Sequence, residues 1–141
     1  MLPPSNCMQN GNVLVVEDDD TIRRLLIEYL KQHSYLHVDG ARDGIEALHR
    51  VSLDPYKVVI LDVMMPKMSG VDFLDSLEAL LSDPSLQSIA EVPAVIVITA
   101  TAEHVLPTAV MHHRFPTLVR RVFRKPIDII ALASAIEELL R

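Results

Sequence analysis

The chain has 141 residues, 50% of them hydrophobic and 23% charged, which is core material for one domain of ordinary size and excludes disorder for most of its length. A formal charge of −6, without a basic block, argues against sequence-independent nucleic-acid binding, which pairs cations with phosphates. The single cysteine, Cys7, excludes an internal disulfide and a multi-cysteine metal site, and no apolar run approaches the roughly 20 residues of a membrane span.

Residues 1–11, with Pro3, Pro4, Ser5 and Asn10–Gly11, read as a flexible tail, and 12–141 as the folded domain. The tail lacks the basic start and apolar stretch of a secretory signal, so a cytoplasmic location is expected. The length leaves no room for a second, effector domain.

Val13-Leu14-Val15-Val16 is a continuous aliphatic run, the mark of a strand buried on both faces. Ile22, Leu25, Leu26, Tyr29 and Leu30 then recur on one face of a helix. Leu36-His37-Val38 is a weaker strand, followed by a short helix carrying Ile45, Leu48 and Val51 and by the turn Asp54-Pro55. Val58–Leu61 predicts another buried strand, with Val71, Leu74, Leu77 and Leu81 marking the next helix. Ala94–Ile98 is a third strong strand, and a last one near Leu118–Phe123 precedes a helix carrying Ile129, Leu132, Ala133, Ile136 and Leu140. Such alternation predicts parallel βαβ units with helices on both faces of one sheet.

Ligands of such sheets bind beyond the carboxyl ends of the strands, and the polar residues fall there. Val16 is followed by Glu17-Asp18-Asp19-Asp20, Leu61 by Asp62, Ile98 by Thr99, and Phe123 by Arg124-Lys125-Pro126. Asp19 or Asp20 fits a helix N-cap, whereas an ionised Asp62 inside an apolar run is costly without partners. Convergence of Glu17, Asp18 and Asp62 would leave three carboxylates against one ammonium, Lys125. Mg²⁺ would supply the missing positive charge and keep positions open for phosphate oxygens. Asp62 is then the candidate nucleophile, with Lys125 and the Thr99 hydroxyl binding phosphoryl oxygens.

These residues resemble the receiver domains of two-component response regulators. The resemblance rests on Leu14-Val15-Val16-Glu17-Asp18, on Leu61-Asp62-Val63-Met64-Met65-Pro66-Lys67-Met68-Ser69-Gly70, on Val97-Ile98-Thr99-Ala100 and on Lys125-Pro126. It covers roughly residues 12–140 and implies an α/β fold, a doubly wound parallel sheet of about five strands in the flavodoxin-like order 2-1-3-4-5, flanked by about five helices. It further implies that Asp62 accepts phosphate from a histidine kinase or a histidine phosphotransfer protein. Asp18 and Asp62 would hold Mg²⁺ directly, Glu17 through water, and the Met64 backbone carbonyl would be the third protein ligand. Thr99 would swing toward the phosphoryl group and Lys125 would contact it, with Ala100 beside them. Such a switch catalyses only its own phosphorylation and dephosphorylation, and its output passes to another protein through the region after Thr99 or relays phosphate onward. Neither nucleic acid nor membrane is expected as a direct partner, while a homodimer stays open. The competing readings are a degenerate receiver acting as an interaction module and an aspartyl-nucleophile phosphatase; the phosphatase would want an acid where Met64 stands.

Three departures carry expectations. Val122 stands where the family commonly has Tyr or Phe, and a bulge would be needed to bring the adjacent Phe123 into that place. Pro107 is expected to break the helix after Thr99, and the Thr99–Lys125 stretch is longer than the family's usual spacing. Met64 and Thr101 flank the path of an attacking water without activating it, which predicts a slowly hydrolysed aspartyl phosphate. His112-His113, the Met64-Met65-Met68 cluster and Cys7 are assigned no metal role, and the histidines are expected to be exposed. Arg120, Arg121 and Arg124 read as a solvated edge or a partner contact.

Overall fold

Aliphatic β-branched runs form the strands, and amphipathic segments between them cross back over the sheet. The computed structural model describes residues 12–33, 37–65, 68–83, 85, 92–102 and 105–140. The expected tail with Cys7, and also Leu36, Pro66, Lys67 and His104, lie outside the described residues. In chain order the elements are β1 (Asn12–Val16), α1 (Asp20–Lys31), β2 (His37–Ala41), α2 (Gly44–Leu53), β3 (Val58–Asp62), α3 (Gly70–Ser82), β4 (Ala94–Thr99), α4 (Thr108–Arg114), β5 (Val119–Arg124) and α5 (Ile129–Leu140). All neighbouring strands are parallel, in the order β2-β1-β3-β4-β5. The sheet order expected from the resemblance is therefore the one observed.

Strand alternation divides the core into two layers. Leu14, Val16, Val59, Leu61, Val95 and Val97 pack with Ala47, Val51, Phe73, Leu77, Met111 and Phe115 of α2, α3 and the α4 region. Val13, Val15, Val58, Ile60, Ile96 and Ile98 pack instead with Leu26, Leu30, Leu132 and Ile136 of α1 and α5. Phe73 and Phe115 are fully buried, although no periodic pattern singled them out. Leu25 and Ile45 depart from their assigned stripes and are 62% and 56% exposed. Leu25 lies about 100° around the helix from Leu26, so α1 buries the narrower line of Leu26 and Leu30.

Short polar side chains start the helices. Asp19 caps α1 by accepting from Ile22 N (3.0 Å), Asp43 caps α2 through Glu46 N (2.9 Å), and Ser69 caps α3 through Asp72 N (3.1 Å). Pro107 breaks no helix here; it is the N-cap of α4, where its missing N–H costs little. The helix starts directly after it and has 7 residues. Arg114 of α4 ties to Asp75 of α3 through two bonds of 2.8 and 2.9 Å, and His112 Nδ1 lies 3.1 Å from Val119 O. The expectation of exposed histidines is thus corrected for His112, which is half-buried because its ring reaches the start of β5. Among the described residues no helix is long and apolar enough to cross a membrane.

Gly70 closes the loop after β3. Its N–H donates to Val63 O (2.9 Å), and a Cβ there would sit 2.7 Å from Val63 Cα and 2.9 Å from Asp62 O. The α3 start therefore approaches the backbone of Asp62 more closely than any side chain allows. Gly70→Ala is expected to cost about 1–3 kcal/mol in denaturant unfolding, because backbone rather than a flexible side chain must yield. An unchanged unfolding midpoint would contradict this close approach.

Candidate functional site

Strand register delivers the polar residues to one edge. Val16 pairs with Leu61, so Glu17 and Asp62 each follow a paired residue on the two central strands. Asp62 pairs with Ile98, one residue before Thr99, and Thr99 pairs with Arg124, one residue before Lys125. Further bonds knit these ends together: Glu17 N to Ala41 O (3.0 Å), Val63 N to Ile98 O (3.1 Å) and Lys125 N to Thr99 O (2.8 Å). The edge is the crevice where strand order reverses about β1 and β3.

Glu17 is 2% exposed and Asp62 4%, whereas Asp18 is exposed. One ligand oxygen from each of the three lies within 4.8 Å of the others, close enough for a single hard cation. Lys125 Nζ stands 3.3 Å from Glu17 Oε1 and 3.3 Å from Asp62 Oδ2. One ammonium therefore serves two buried carboxyl groups. Burial, followed by the hydrogen bond and the charge of Asp62, pushes the Glu17 carboxyl up to about 7, against the opposing pull of the Asp19 N–H and Lys125. Burial works against the Lys125 ammonium, but the charges of Asp62 and Glu17 outweigh it and raise its pKa. The excess of negative charge is the observation by which a divalent cation fits these residues.

Backbone and neighbouring side chains fix the carboxylates. Met64 N donates to Asp62 Oδ1 (3.1 Å), Asp19 N to Glu17 Oε2 (3.2 Å), and Arg23 Nη1 to Glu17 O (2.8 Å) while its Nη2 pairs with Asp20. Thr99 is fully buried and its Oγ1 accepts from Thr101 N at 2.9 Å; Ala100 beside it is exposed. The Met64 side chain is 63% exposed next to the cluster. Glu17, Asp18, Asp62 and Lys125 are thus brought together, with Thr99 on the adjoining strand end.

The aromatic question resolves by strand parity. A register shift does occur in β5, between the partners of Val95 and Ile96, but it lies upstream of both candidates. Val122 remains in the α2–α4 layer, while Phe123 packs in the α1–α5 layer with Arg121 Cζ 5.3 Å from its ring centroid. No aromatic side chain of β5 faces α4.

Arg124 corrects an expectation. Arg120 and Arg121 are exposed as a solvated edge, but Arg124 is half-buried and donates to Thr101 O (2.6 Å), Leu106 O (2.7 Å) and Thr108 Oγ1 (3.0 Å). Its sequence signal was parity: two residues from Val122 on a strand, it shares that residue's face. Arg23 and Gly70 were likewise missed as supports, since neither carries chemistry of its own.

Glu17 gives the folded chain a pH dependence. Its folded pKa lies above the ordinary 4.5, so between that value and about 7 the folded chain keeps a proton that the unfolded chain has lost. Stability then falls as pH rises through this window. In chelator-treated buffer the Tm is expected to drop by several degrees between about pH 5 and pH 8, and Glu17→Gln should remove most of that slope. Parallel Tm profiles for the two proteins would contradict the assignment.

The profile of the response regulator receiver domain matches residues 13–137. A protein of Rhizobium etli named "Probable chemotaxis protein CheY" is 30% identical over 125 residues, covering 89% of this chain and 88% of that relative. The transcriptional regulatory protein CpxR homolog of Haemophilus influenzae is 28% identical over 118 residues and 82% of this chain, which spans about half (51%) of its length. Among solved structures, the signal receiver domain of a signal transduction histidine kinase from Syntrophus aciditrophicus is 28% identical, covers 92% of this chain and 89% of that chain, and superposes with a TM-score of 0.70. By this match, over a sheet of the same order and an acidic edge at its switch point, the chain belongs to the response regulator receiver family of two-component signalling.

Proposed function

We propose that Asp62 accepts a phosphoryl group from the phosphohistidine of a histidine kinase or phosphotransfer protein, in a Mg²⁺-dependent reaction, and that the altered surface is read by a partner protein. The observation that carries this reading is the buried pair Glu17 and Asp62, with exposed Asp18 within 4.8 Å and a single ammonium 3.3 Å from each buried carboxyl. Glu17, Asp18, Asp62 and the Met64 backbone carbonyl would hold the ion. When bound, Mg²⁺ neutralises the acidic cluster and binds phosphoryl oxygen.

The chain's own groups account for the rest. Met64 N–H holds Asp62 Oδ1, leaving Oδ2, on the Lys125 side, as the attacking oxygen. A P–O bond forms at Asp62 as the donor's P–N bond breaks, and the donor nitrogen keeps the electron pair. Lys125 then exchanges its contact with the Asp62 carboxylate for the phosphoryl oxygens, stabilising charge that develops there. Thr99 donates its hydroxyl hydrogen to another of those oxygens, with exposed Ala100 beside it as part of the phosphoryl-binding turn. Because the donor must present a reactive histidine, exposed Asp18 and Met64 form the open side of the pocket.

Turnover of external phosphoesters is disfavoured, since the acid such chemistry needs two residues beyond the nucleophile is replaced by Met64. A cytoplasmic site of action follows from the kinase partner.

Incubation with Mg²⁺ and acetyl phosphate should add one phosphoryl group by intact mass, absent from Asp62→Ala and from chelator-treated protein. A gain retained in Asp62→Ala would place the acceptor elsewhere. No gain from either acetyl phosphate or a phosphorylated kinase would favour the degenerate module. Met64 has no side-chain acid or base and Thr101 only a hydroxyl, too weak a base to activate water, so after donor removal the phosphoprotein in Mg²⁺ should persist for minutes or longer. Loss within seconds, followed by quenched mass measurement, would refute slow hydrolysis.

A further inference from the structure

Arg124 ends β5 as the register partner of Thr99. Both take the strand parity of Val97 and Val122, which pack in the same layer as Met111 of α4. Nη1 of Arg124 donates to Thr101 O, while Nη2 donates to Leu106 O and to Thr108 Oγ1. These acceptors run from just beyond Thr99 to the first residue of α4. Thr101 is bound on both sides: its N–H donates to Thr99 Oγ1, and its carbonyl accepts from Arg124. A single residue therefore joins the Thr99 hydroxyl to the guanidinium.

The chemistry of that group matters. A guanidinium is a planar fork with donors in fixed directions, so displacing one acceptor disturbs the geometry at the others. The side chain of Val122, its neighbour on this face of β5, has no polar atom with which to hold the segment. Two other ties of α4, Arg114 to Asp75 and His112 to Val119 O, grip its C-terminal half. At its N-terminal end Leu106 O and Thr108 Oγ1 both accept from Arg124, alongside the backbone bond from Leu106 N to Ala102 O (3.0 Å).

We propose that Arg124 is a positioning residue for the Thr99 hydroxyl and transmits the state of that hydroxyl to α4 through Thr101, Leu106 and Thr108. The trigger rests on the reading of Asp62 as phosphoacceptor, but the connection itself exists without phosphate. When Thr99 turns toward a phosphoryl oxygen, it either releases Thr101 N–H or draws Thr101 with it. Both events move Thr101 O against the guanidinium, and the α4 entry must follow or lose its bonds.

The test is amide hydrogen exchange across residues 105–114 in wild type, Thr99→Val, Arg124→Met and the double variant, all without phosphodonor. Thr99→Val should speed exchange at the α4 entry by about fivefold when Arg124 is present and by less than about twofold when it is replaced. Equal effects in the two backgrounds would overturn the proposal. Arg124→Lys keeps the charge without the fork; it should also suppress the Thr99 effect, and it serves as the second background should the Met variant not fold. A Thr99 effect undiminished by Arg124→Lys would likewise count against the fork. In a second arm, Mg²⁺ and acetyl phosphate should alter α4 exchange in wild type but not in the Arg124 variants, with mass measured on the same samples. Phosphorylated Arg124 variants whose α4 responds like wild type would overturn the proposal. Absence of a mass gain in wild type with acetyl phosphate and with a phosphorylated kinase would count against the phosphoacceptor reading and leave the Arg124 connection standing, because the first arm decides that connection independently.

Discussion

The ammonium of Lys125, 3.3 Å from both Glu17 and Asp62, is the interaction on which the arrangement of this edge depends. Two carboxyl groups under 5% exposed cannot both ionise side by side without positive charge nearby. The lysine compensates only in part, as the upward shift of Glu17 to about 7 records. The chain does not remove the conflict by exposing the acids or by replacing one with an apolar residue. It keeps an edge short of cations, held rigidly, with one exposed acid, Asp18, at its mouth.

Holding that edge rigidly falls to backbone geometry. Parallel register along β1, β3, β4 and β5 brings each polar residue one step past a paired position. Apolar residues on both faces fix the register, since a one-residue slip would exchange the two core layers. Gly70 lets α3 press against the Asp62–Val63 peptide, and Arg23 anchors the Glu17 carbonyl from α1. Helix starts and strand ends thus meet at the same place. The closeness of backbone to backbone, more than side-chain bulk, determines where the carboxylates stand.

The β4–α4 side obeys different constraints. Directly after Pro107, α4 is 7 residues long, a length at which a helix draws little stability from its own hydrogen bonds. Buried Met111 and the adjoining Phe115 seat it on the core, and side-chain ties from Arg114, His112 and Arg124 complete its placement. Exposed Val105 and Val110 lie in this same stretch. A short helix seated by one buried side chain of its own, Met111, and a few polar ties is easier to shift than a long one with a broad buried face, which suits a segment that reports on its neighbour.

Much was legible from residue order. Short β-branched runs such as Val13–Val16 and Val58–Leu61 read as doubly buried strands, and polar residues directly after them mark the ligand edge of a parallel sheet. The candidate residues Glu17, Asp18, Asp62, Thr99 and Lys125 follow from that rule, and the Met-Pro-x-Met-x-Gly stretch narrows the family. What stayed hidden depends on contacts between residues far apart in the chain. Whether Phe123 or Val122 faces α4 is a matter of bulge position, and composition offers no handle on it. That Arg124 leaves the solvated edge to grip Thr101, Leu106 and Thr108 requires knowing where the loop folds back. The sequence by itself determined the alternation of parallel strands and helices, the polar residues at the strand ends and the chemistry available there, because hydrophobic periodicity is local, while its family motifs implied the strand order. Only the tertiary structure decided how one lysine is shared between two buried acids and how the Thr99 hydroxyl is tied to α4, because those distances are set by packing between strands.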